Sequence, residues 1–360
     1  MLLKQRGLKV VGVYMQNWDS FEETGTCTSD EDYKDVVGVC NRLKIDSIRV
    51  NLVKEYWARV FSVALDGYEK GYTPNPDILC NKEIKFGCLV DKLKALIPSP
   101  ESHRTWFATG HYANVDRYVD NDGKIRTRLR RGKDGSKDQS YFLSGISQTQ
   151  LEKIVFPLGD LYKKTEVREL ARRNHLQTAK KAESFGICFV GEKKKFSNFL
   201  SEFIPTRKSG PEPLIKSALD YKTVIGRHSG MFSRTIGQSA GVTFNSEKWF
   251  VAYKDLDSNT MYAVPGHDHS LLYTQKVFLD SVHWIGSPPP TSSLATLSYQ
   301  IRHLETPKTC SLVNEPNGEW AVLFHQPVYG ATPGQYIVFY DSDVCLGNAP
   351  ISRVQTGFRL

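Results

Sequence analysis

The hydrophobic pattern of the first half alternates between short apolar runs and longer segments with helical spacing. The segments "LKVVGVYM" (8–15), "DSIRVNLV" (46–53) and "TWFATGHY" (105–112) have the length and apolar content of strands in a parallel sheet. Residues 29–45 and 54–71 lie between them and carry apolar side chains at the spacing of a helix. This order predicts a doubly wound α/β sheet, whose ligands bind beyond the carboxyl ends of the strands.

The pattern changes near residue 192. A short helical pattern in "EKKKFSNFLSEFIP" precedes a Pro/Gly-rich linker, which indicates a small central domain. From about residue 270, short alternating runs are broken by Pro-Asn-Gly, Thr-Pro-Gly and Asp-Ser-Asp turns, as is typical of a closed β-barrel. We therefore predict three domains: an α/β domain at 1–191, a small central domain at 192–268 and a C-terminal β-barrel at 269–360.

The composition is that of a soluble globular protein. The 360 residues are 40% hydrophobic and 24% charged. No apolar run reaches the roughly eighteen residues that span a bilayer, and no signal-peptide pattern opens the sequence. We expect no membrane association and no metal centre, since no cluster of metal-ligating residues is visible.

The charge of +8 permits a polyanionic partner such as a nucleic acid without requiring one. Much of the positive charge lies in two basic clusters, at 126–139 and 163–181. Two such clusters in one half of the chain favour a phosphate-facing surface over scattered solubilising charge.

Seven cysteines occur, at wide spacings and without a C-x-x-C motif. An odd number at these spacings fits neither a secreted disulfide framework nor a zinc ribbon. We expect a reducing compartment, in which a special cysteine is special for its reactivity.

The first candidate is Cys80, in "TPNPDILCNKEIKF" (73–86). Asn75 is a good N-cap, Pro76 suits the first helical position and Asp77 suits the positive end of a helix dipole. Cys80 would then lie in the first turns of a helix, where the N-terminus and nearby lysines stabilise a thiolate. The alternative is a buried structural cysteine.

The second candidate is Cys188, in "KKAESFGICFVGEKKKF" (180–196). Flanking glycines and lysines permit an exposed loop with a reactive thiol. The alternative is a buried strand with a packed cysteine, which this stretch alone favours. Together, two isolated cysteines, an α/β sheet and basic clusters suggest that one thiol carries sulfur to a nucleic acid and that the other resolves the product.

Several long motifs resemble the tRNA-specific 2-thiouridylases (the MnmA/TRMU family). They include "GYTPNPDILCNKEIKF", "ATGHYANV", "KDQSYFLSGISQTQL", "KKAESFGICFVGE" and the "PGQYIVFY…CLG" tail, and they run nearly from end to end. The segment "GTCTSDEDYKDVVGVCNRL" resembles the mitochondrial eukaryotic members. This likeness implies a mitochondrial location.

The resemblance implies an ATP-pyrophosphatase-like (HUP, adenine nucleotide alpha hydrolase-like) α/β domain, a small central domain and a C-terminal β-barrel. It also implies a reaction in which ATP activates the C2 oxygen of the wobble uridine (position 34) of tRNA. A persulfide then supplies sulfur, AMP leaves and a transient disulfide forms. Adenylation converts a poor leaving group into a good one, and a persulfide is a strong nucleophile.

The resemblance assigns roles by motif position. Cys80 would be the nucleophile, Cys188 the persulfide carrier and disulfide partner of Cys80, and Asp77 a candidate acid or base. Asn75, Pro76 and Asp77 would contact the target base, and Met15 and Gly110 would bind ATP, with Mg²⁺ expected and no permanent cofactor. The residues that would contact tRNA elsewhere are His111, Lys137, Asp138, Gln139, Gln300, Ile301, Arg302 and Gln335.

Some of these assignments have plain structural alternatives. His111 can be a capped turn histidine, and 137–139 can be a solvated loop. Gln300 and Ile301 replace an Arg-aromatic pair of the family, so contacts there are weaker expectations than at Arg302. The implied partners are the anticodon stem-loop of a tRNA and a persulfide donor protein of a cysteine desulfurase relay.

One departure concerns the N-terminus. The family begins with a strand and a Ser-Gly-Gly-x-Asp-Ser loop that binds the ATP pyrophosphate, and the 360 residues contain no such motif. We expect an enzyme whose start lies upstream of Met1. The alternatives are a truncated, non-catalytic tRNA-binding or sulfur-holding paralogue and, less favoured, a thiol–disulfide protein using Cys80 and Cys188.

Overall fold

A computed structural model describes residues 1–18, 28–96, 105–120, 122–181, 196–204 and 211–357. Strands β1 (Val11–Gln16) and β2 (Asp46–Asn51) pair in parallel, with Val11 opposite Asp46. The short helix α1 (Leu2–Gln5) precedes β1, and α2 (Thr28–Leu43) crosses over between the two strands. This parallel pair with its crossover helix confirms the predicted α/β order.

Two long helical segments follow β2. The first, α3, joins Val53–Tyr56, a π-helical turn at Trp57–Phe61, and Ser62–Glu69. The second, α4, joins Pro76–Leu79, a π-helical stretch at Cys80–Cys88, and Leu89–Leu96. Both helices bury apolar side chains in one cluster with β2, and Leu52, Val60 and Ile84 at its centre are fully buried. The α/β domain thus places Cys80 at the edge of its own core.

The rest of the α/β domain is built from short elements. Strands β3 (Phe107–Ala108) and β6 (Ile154–Val155) form a second parallel pair, separate from β1 and β2 among the described residues. Between them lie the antiparallel strands β4 (Ala113–Val119) and β5 (Ile125–Arg131) and the helices α5 (Ser140–Leu143) and α6 (Gln148–Leu151). After β6 come α7 (Lys163–Val167 and Arg168–Arg173) and a 3₁₀ turn at Gln177–Lys180.

The central domain is a five-stranded sheet. Helix α8 (Phe196–Phe203), predicted from the sequence, precedes the sheet, but Phe199 and Leu200 pack into the core of the α/β domain. The sheet has the order β8-β7-β11-β10-β9. Its strands were not predicted from the sequence; they are β7 (Leu214–Ser217), β8 (Val224–Arg227), β9 (Ser239–Phe244), β10 (Glu247–Asp255) and β11 (Thr260–Pro265).

The C-terminal domain is a closed six-stranded barrel, as predicted. Its strands pair in the order β12-β16-β15-β14-β17-β18, and β12 also pairs with β18, which closes the barrel. A short strand, β13 (His283–Trp284), adds to β18. The barrel strands are β12 (Tyr273–Leu279), β14 (Leu297–Gln300), β15 (Lys308–Asn314), β16 (Trp320–Tyr329), β17 (Tyr336–Asp341) and β18 (Val344–Val354).

The domains share contacts that bear on the site. Strand β5 pairs with β18, so the β4–β5 hairpin of the α/β domain extends the sheet of the barrel. The buried ammonium of Lys254 donates to the carbonyls of Gly71 (2.7 Å) and Met231 (2.8 Å), and burial lowers the pKa of Lys254 to about 7. The boundaries 1–191, 192–268 and 269–360 stay predictions. Within the described ranges, no helix has the length and apolarity needed to cross a bilayer.

Candidate active site around Cys80

The start of α4 has the predicted cap. Asn75 is the N-cap, in an extended conformation, and its side-chain oxygen accepts hydrogen bonds from the backbone N–H of Asp77 (3.2 Å) and Ile78 (3.4 Å). Pro76 occupies the first helical position, where its missing N–H costs nothing. This local chemistry fixes where the helix begins and sets Cys80 one turn into it.

A turn of the barrel holds the segment that leads into this cap. The backbone N–H of Thr73 donates to the Pro333 carbonyl (2.8 Å), and the hydroxyls of Thr73 and Thr235 are 3.0 Å apart. Gly334 has φ +87°, and a Cβ there would lie 3.0 Å from Cβ of Tyr72. Only glycine fits this conformation and this close approach without strain. All three domains therefore meet just before Asn75.

Cys80 is buried, with 6% of its surface exposed, and packs in the core of the α/β domain. The side-chain amide of Asn17 points its Nδ2 at the Cys80 Sγ from 3.9 Å. Asn17 follows β1, and its Oδ1 is buried without a hydrogen-bond partner in the part of the chain that the structure describes. Met15, the predicted nucleotide contact, lies half-buried two residues earlier on β1. The carboxyl end of β1 thus faces the thiol, as the doubly wound pattern predicts for a ligand site.

Asp77 lies half-buried beside the cap. Burial raises the pKa of its carboxyl above the ordinary value of 3.8, and the positive charges of Lys85 and His303 act in the opposite direction. A carboxyl with a raised pKa is suited to moving a proton near neutral pH. The sequence prediction that Asp77 is an acid or base is physically consistent with this environment and stays a prediction.

A polar network runs along one face of α4. Asn81, one turn after Asp77, donates to the carbonyls of Asp77 (3.0 Å) and Phe142 (3.2 Å). Lys85, one turn further, donates to the Asn81 Oδ1 at 3.0 Å and lies 3.2 Å from the Nε2 of His111. Spacings of four residues place these three side chains on neighbouring turns of the helix.

The two residues predicted after β3 lie in different environments. Gly110 is exposed, and a Cβ there would meet only Leu158, at 3.6 Å. His111 is buried, with its Nδ1 2.6 Å from the Thr109 hydroxyl, and burial lowers the pKa of the imidazole well below 6.5. Direct contact of the His111 ring with tRNA would need the ring to become exposed.

The segment 137–139 is held by hydrogen bonds inside the protein and is not the solvated loop that the alternative expected. Asp138 is buried and accepts from the Arg131 guanidinium (3.1 Å), the Ser140 hydroxyl (2.8 Å) and the backbone N–H of Gly132 (3.0 Å). The Gln139 side chain accepts from the backbone N–H of Tyr112 (3.0 Å). Lys137 lies at the end of the preceding turn. Asp138 therefore holds this segment in place through several hydrogen bonds.

The barrel residues predicted to contact tRNA are largely engaged inside the protein. Gln300 and Ile301 are 4% and 1% exposed, and Gln300 accepts from the Arg131 guanidinium. Arg302 donates to the carbonyls of Tyr329 (2.9 Å) and Gly330 (2.8 Å). Gln335 lies beside the Gly334 turn, and its Oε1 is buried without a partner among the described residues. The two positions that depart from the family's residues are thus the two most buried ones.

The arginines of the first basic cluster are paired with carboxylates. Residues on β5 face Asp116 on β4, so that Arg128 and Arg130 lie 2.9 Å and 3.1 Å from that carboxylate. Arg126 pairs with Asp120 and Arg131 with Asp138. A phosphate would have to compete with these ion pairs. The phosphate-facing surface stays a prediction.

Parts of the second cluster are paired as well. Arg172 and Arg173 both contact Glu169, and Lys181 contacts Asp32 and Asp35 on α2. Cys188, the predicted persulfide carrier, lies outside the described residues. Asn17, Asn81 and His303 border the site and were not predicted from the sequence. The four-residue spacing of Asp77, Asn81 and Lys85 was the signal for that face of α4.

Three family models match the chain. They are described as a tRNA methyl transferase HUP domain over residues 1–192, a tRNA methyl transferase PRC-barrel domain over 197–265 and an aminomethyltransferase beta-barrel domain over 274–351. Their order is that of the α/β domain, the central sheet and the barrel.

Bacterial proteins named tRNA-specific 2-thiouridylase MnmA match nearly the whole chain. The protein of Staphylococcus saprophyticus is 41% identical over 356 residues, which cover 98% of this chain and 91% of the relative. The Listeria innocua protein is 40% identical, and the match covers 98% of this chain and 90% of the relative. The Exiguobacterium sibiricum protein is 42% identical, and the match covers 97% of this chain and 89% of the relative. Identity at this level across all three domains identifies the family more specifically than the names of the family models.

Proposed function

The chain belongs to the tRNA-specific 2-thiouridylase family, and we propose that Cys80 and Asp77 are central to its reaction. The enzyme is a tRNA sulfurtransferase that uses ATP to place sulfur on uridine. The observation that supports the role of Cys80 is the capped start of α4, which holds Asn75, Asp77 and the thiol within the first two turns at the meeting point of three domains.

The proposed reaction has three steps. The C2 oxygen of the wobble uridine attacks the α-phosphate of ATP, and pyrophosphate leaves. The outer sulfur of a Cys188 persulfide attacks C2, and AMP leaves with the former C2 oxygen. The Cys80 thiolate then attacks the Sγ of Cys188, which releases 2-thiouridine and leaves a Cys80–Cys188 disulfide. A two-electron thiol reductant must reduce that disulfide before the next cycle.

Asp77 is the proposed proton-transfer group at the target base. Its position next to the cap supports this role, because the half-buried Asn75 and Asp77 flank the buried Pro76 and together form a rim before the buried Cys80. Burial raises the pKa of the Asp77 carboxyl, which favours proton exchange with a uracil ring over permanent ionisation. The base must leave its stack to reach this rim.

The remaining proposed tRNA contacts fall into two groups. Lys137 and Gln335 lie close to segments that border the site, and we propose that they contact the anticodon stem-loop directly. The buried and half-buried members act through the segments they hold in place. This second group consists of His111, Asp138, Gln139, Gln300, Ile301 and Arg302.

We propose that Met15 and Gly110 bind the adenine nucleotide, with Mg²⁺ on its phosphates and no permanent cofactor. Met15 lies near the carboxyl end of β1, and Gly110 comes two residues after the carboxyl end of β3. Nucleotides bind at the carboxyl ends of parallel strands in doubly wound folds. No group of three or more metal-ligating side chains occurs in the described ranges, so the ATP phosphates would supply most of the ligands.

The persulfide reaches Cys188 from a donor protein of a cysteine desulfurase relay, and the protein acts in mitochondria. The donor rests on the resemblance to the family, and the location rests on the sequence likeness of residues 25–43 to mitochondrial members. Fractionation of the source cells, followed by detection of the endogenous protein, tests the location. Recovery of the protein outside mitochondria would contradict it.

A second candidate is a tRNA-binding protein that does not activate uridine. The observation favouring it is that the 360 residues contain no Ser-Gly-Gly-x-Asp-Ser segment. ATP–pyrophosphate exchange in the presence of tRNA separates the two candidates. Exchange by the endogenous protein, lost in Asp77→Asn, supports the enzyme; tRNA binding without exchange supports the second candidate.

A further inference from the structure

Lys85 occupies an unusual place for a lysine. It is half-buried on α4, and its ammonium contacts an amide oxygen of Asn81 at 3.0 Å and a ring nitrogen of His111 at 3.2 Å. Among the described residues this ammonium forms no ion pair with a carboxylate, although its charge acts on the nearby Asp77 carboxyl. A half-buried cation held by two neutral groups indicates that those groups are positioned to receive its protons.

This contact fixes the tautomer of His111. An ammonium has three donors and no acceptor, so the Nε2 of His111 must accept from Lys85. The proton of the neutral ring is then on Nδ1, which donates to the Thr109 hydroxyl at 2.6 Å. Phe86 and Phe156 pack on the ring, with centroids 5.8 Å away in both cases, so Lys85 is the charged group that faces it.

The network joins the two halves of the proposed site. At one end, Asn81 donates to the carbonyls of Asp77 and Phe142, which tie the base-contact rim to α5. At the other end, Thr109 precedes Gly110, the proposed nucleotide contact after β3. Lys85 is the one link in this chain that carries a full charge.

We propose that Lys85 is a positioning residue that locks His111 in the Nδ1–H tautomer and holds the Cys80-bearing helix against the end of β3. The role of Lys85 in the reaction rests on the proposed function, because Lys85 connects the residues proposed to contact the target base with those proposed to bind the nucleotide. The tautomer and the helix contact themselves do not depend on that function.

The first test is ¹⁵N NMR of the chain labelled at histidine, over pH 5 to 9, with the His111 signals assigned by His111→Gln. In the unaltered chain we expect a neutral, Nδ1-protonated ring throughout. In Lys85→Met we expect the Nε2–H tautomer to become populated, since the donor to Nε2 is gone, while burial still keeps the ring neutral. Lys94→Met, on the exposed face of the same helical segment, is the matched control.

The inference is overturned if His111 of the unaltered chain carries its proton on Nε2 or titrates near 6.5. It is also overturned if the His111 signals are the same in Lys85→Met as in Lys94→Met. Thermal melting of each variant identifies one that fails to fold, and in that case Lys85→Arg replaces Lys85→Met, because its guanidinium cannot make both contacts from the same position.

The second test measures thiolation by an ATP-competent form of the enzyme. We expect Lys85→Met to lower kcat about tenfold or more, with a smaller change in KM for tRNA, because a hydrogen bond to a charged group is lost at the site. An unchanged kcat would overturn the positioning role. Cys80→Ser, assayed in parallel, separates the two proposals: if it stays fully active, the proposed function fails whatever Lys85 does.

Discussion

The cysteine at the start of α4 and the cysteines of the barrel differ in the groups that surround their thiols. Cys80, at the start of α4, lies next to a polar helix start, the amide of Asn17 and the meeting point of three domains. Cys310 lies inside the barrel with 0% exposure, where burial raises its pKa to about 12. Cys345, also in the barrel, has its pKa raised by burial as well.

The contrast shows that burial alone does not decide what a thiol does. Cys80 is only 6% exposed, yet it borders groups that can stabilise charge and move protons. Cys310 is surrounded by apolar side chains of the barrel, which disfavour a thiolate. Reactivity follows from the polar neighbours and the access that a fold provides, and Cys310 is packed among apolar side chains instead.

The largest expected effect comes from removing one thiol at a time. Cys80→Ala should lower 2-thiouridine formation on the order of 10³-fold or more, because it removes the nucleophile that resolves the persulfide product. Cys310→Ala should change the rate by no more than about twofold and only lower the stability of the barrel. Gel retardation of thiolated tRNA on a mercury-containing matrix gives the rates. Comparable losses in both variants would break the comparison.

Alkylation of the folded chain sharpens the comparison without any substrate. Because its pKa is about 12, Cys310 has on the order of 10³-fold less thiolate at pH 8 than an unperturbed thiol, and it should react slower by at least that factor. The deficit shrinks only about two- to threefold between pH 8 and 9, and about tenfold for each pH unit once the unperturbed thiol is fully ionised. Iodoacetamide labelling read by peptide mass spectrometry measures this. Labelling of Cys310 in the native state as fast as that of Cys80 would contradict the account.

Asp77→Asn should lower thiolation on the order of 10²-fold, because an amide cannot transfer the proton. The same change should raise Tm at neutral pH. The Asp77 pKa is raised above 3.8 by burial, so the stabilising proton is lost as the pH rises through the folded-state pKa, and the ionised carboxyl then costs stability.

The gain in Tm should disappear below pH 3.8, where the carboxyl is protonated in both the folded and the unfolded state. Asp343→Asn, which removes an exposed partner of Arg130 on the barrel, is the control and should leave thiolation intact. Equal activity of Asp77→Asn and Asp343→Asn would contradict the assignment.

The smallest effect concerns the barrel turn that holds the segment before Asn75. Gly334→Ala should cost about 1–3 kcal/mol, because alanine is strained at φ +87° and its Cβ would approach Tyr72 at 3.0 Å. Gly318→Ala is a matched control: φ is +83° there, and nothing lies within 4 Å of the added Cβ. Chemical denaturation and thiolation rates should show that only Gly334→Ala impairs activity. Equal loss of activity in both would show that the turn does not support the site.

The sequence predicted what depends on neighbours along the chain. The Asn75 cap, the Pro76 helix start and the hairpin turns of the barrel are local, so residue identity was enough to place them. The Lys85–His111 contact spans 26 residues and the Asn17–Cys80 contact spans 63, and no local pattern reports such pairs. The ion pairs of β5 were missed because they need the register between β4 and β5.

The central sheet was missed for a similar reason. Its strands β7 and β11 pair in parallel across more than forty intervening residues, and the segments between them are rich in glycine and serine. Such strands are stabilised by distant partners, so their own residues give a weak signal. The barrel was predicted from its Pro-Asn-Gly, Thr-Pro-Gly and Asp-Ser-Asp turns, although β12–β16, β14–β17 and β12–β18 also pair across long stretches of chain.

The central claim is that Cys80 resolves a persulfide at an activated uridine. The most direct test is a single turnover of the persulfide-loaded, ATP-competent enzyme with tRNA, followed by non-reducing peptide mapping. The account predicts a Cys80–Cys188 disulfide in amounts equal to the 2-thiouridine formed, with the barrel cysteines unmodified. Formation of 2-thiouridine with Cys80 still a free thiol would contradict it.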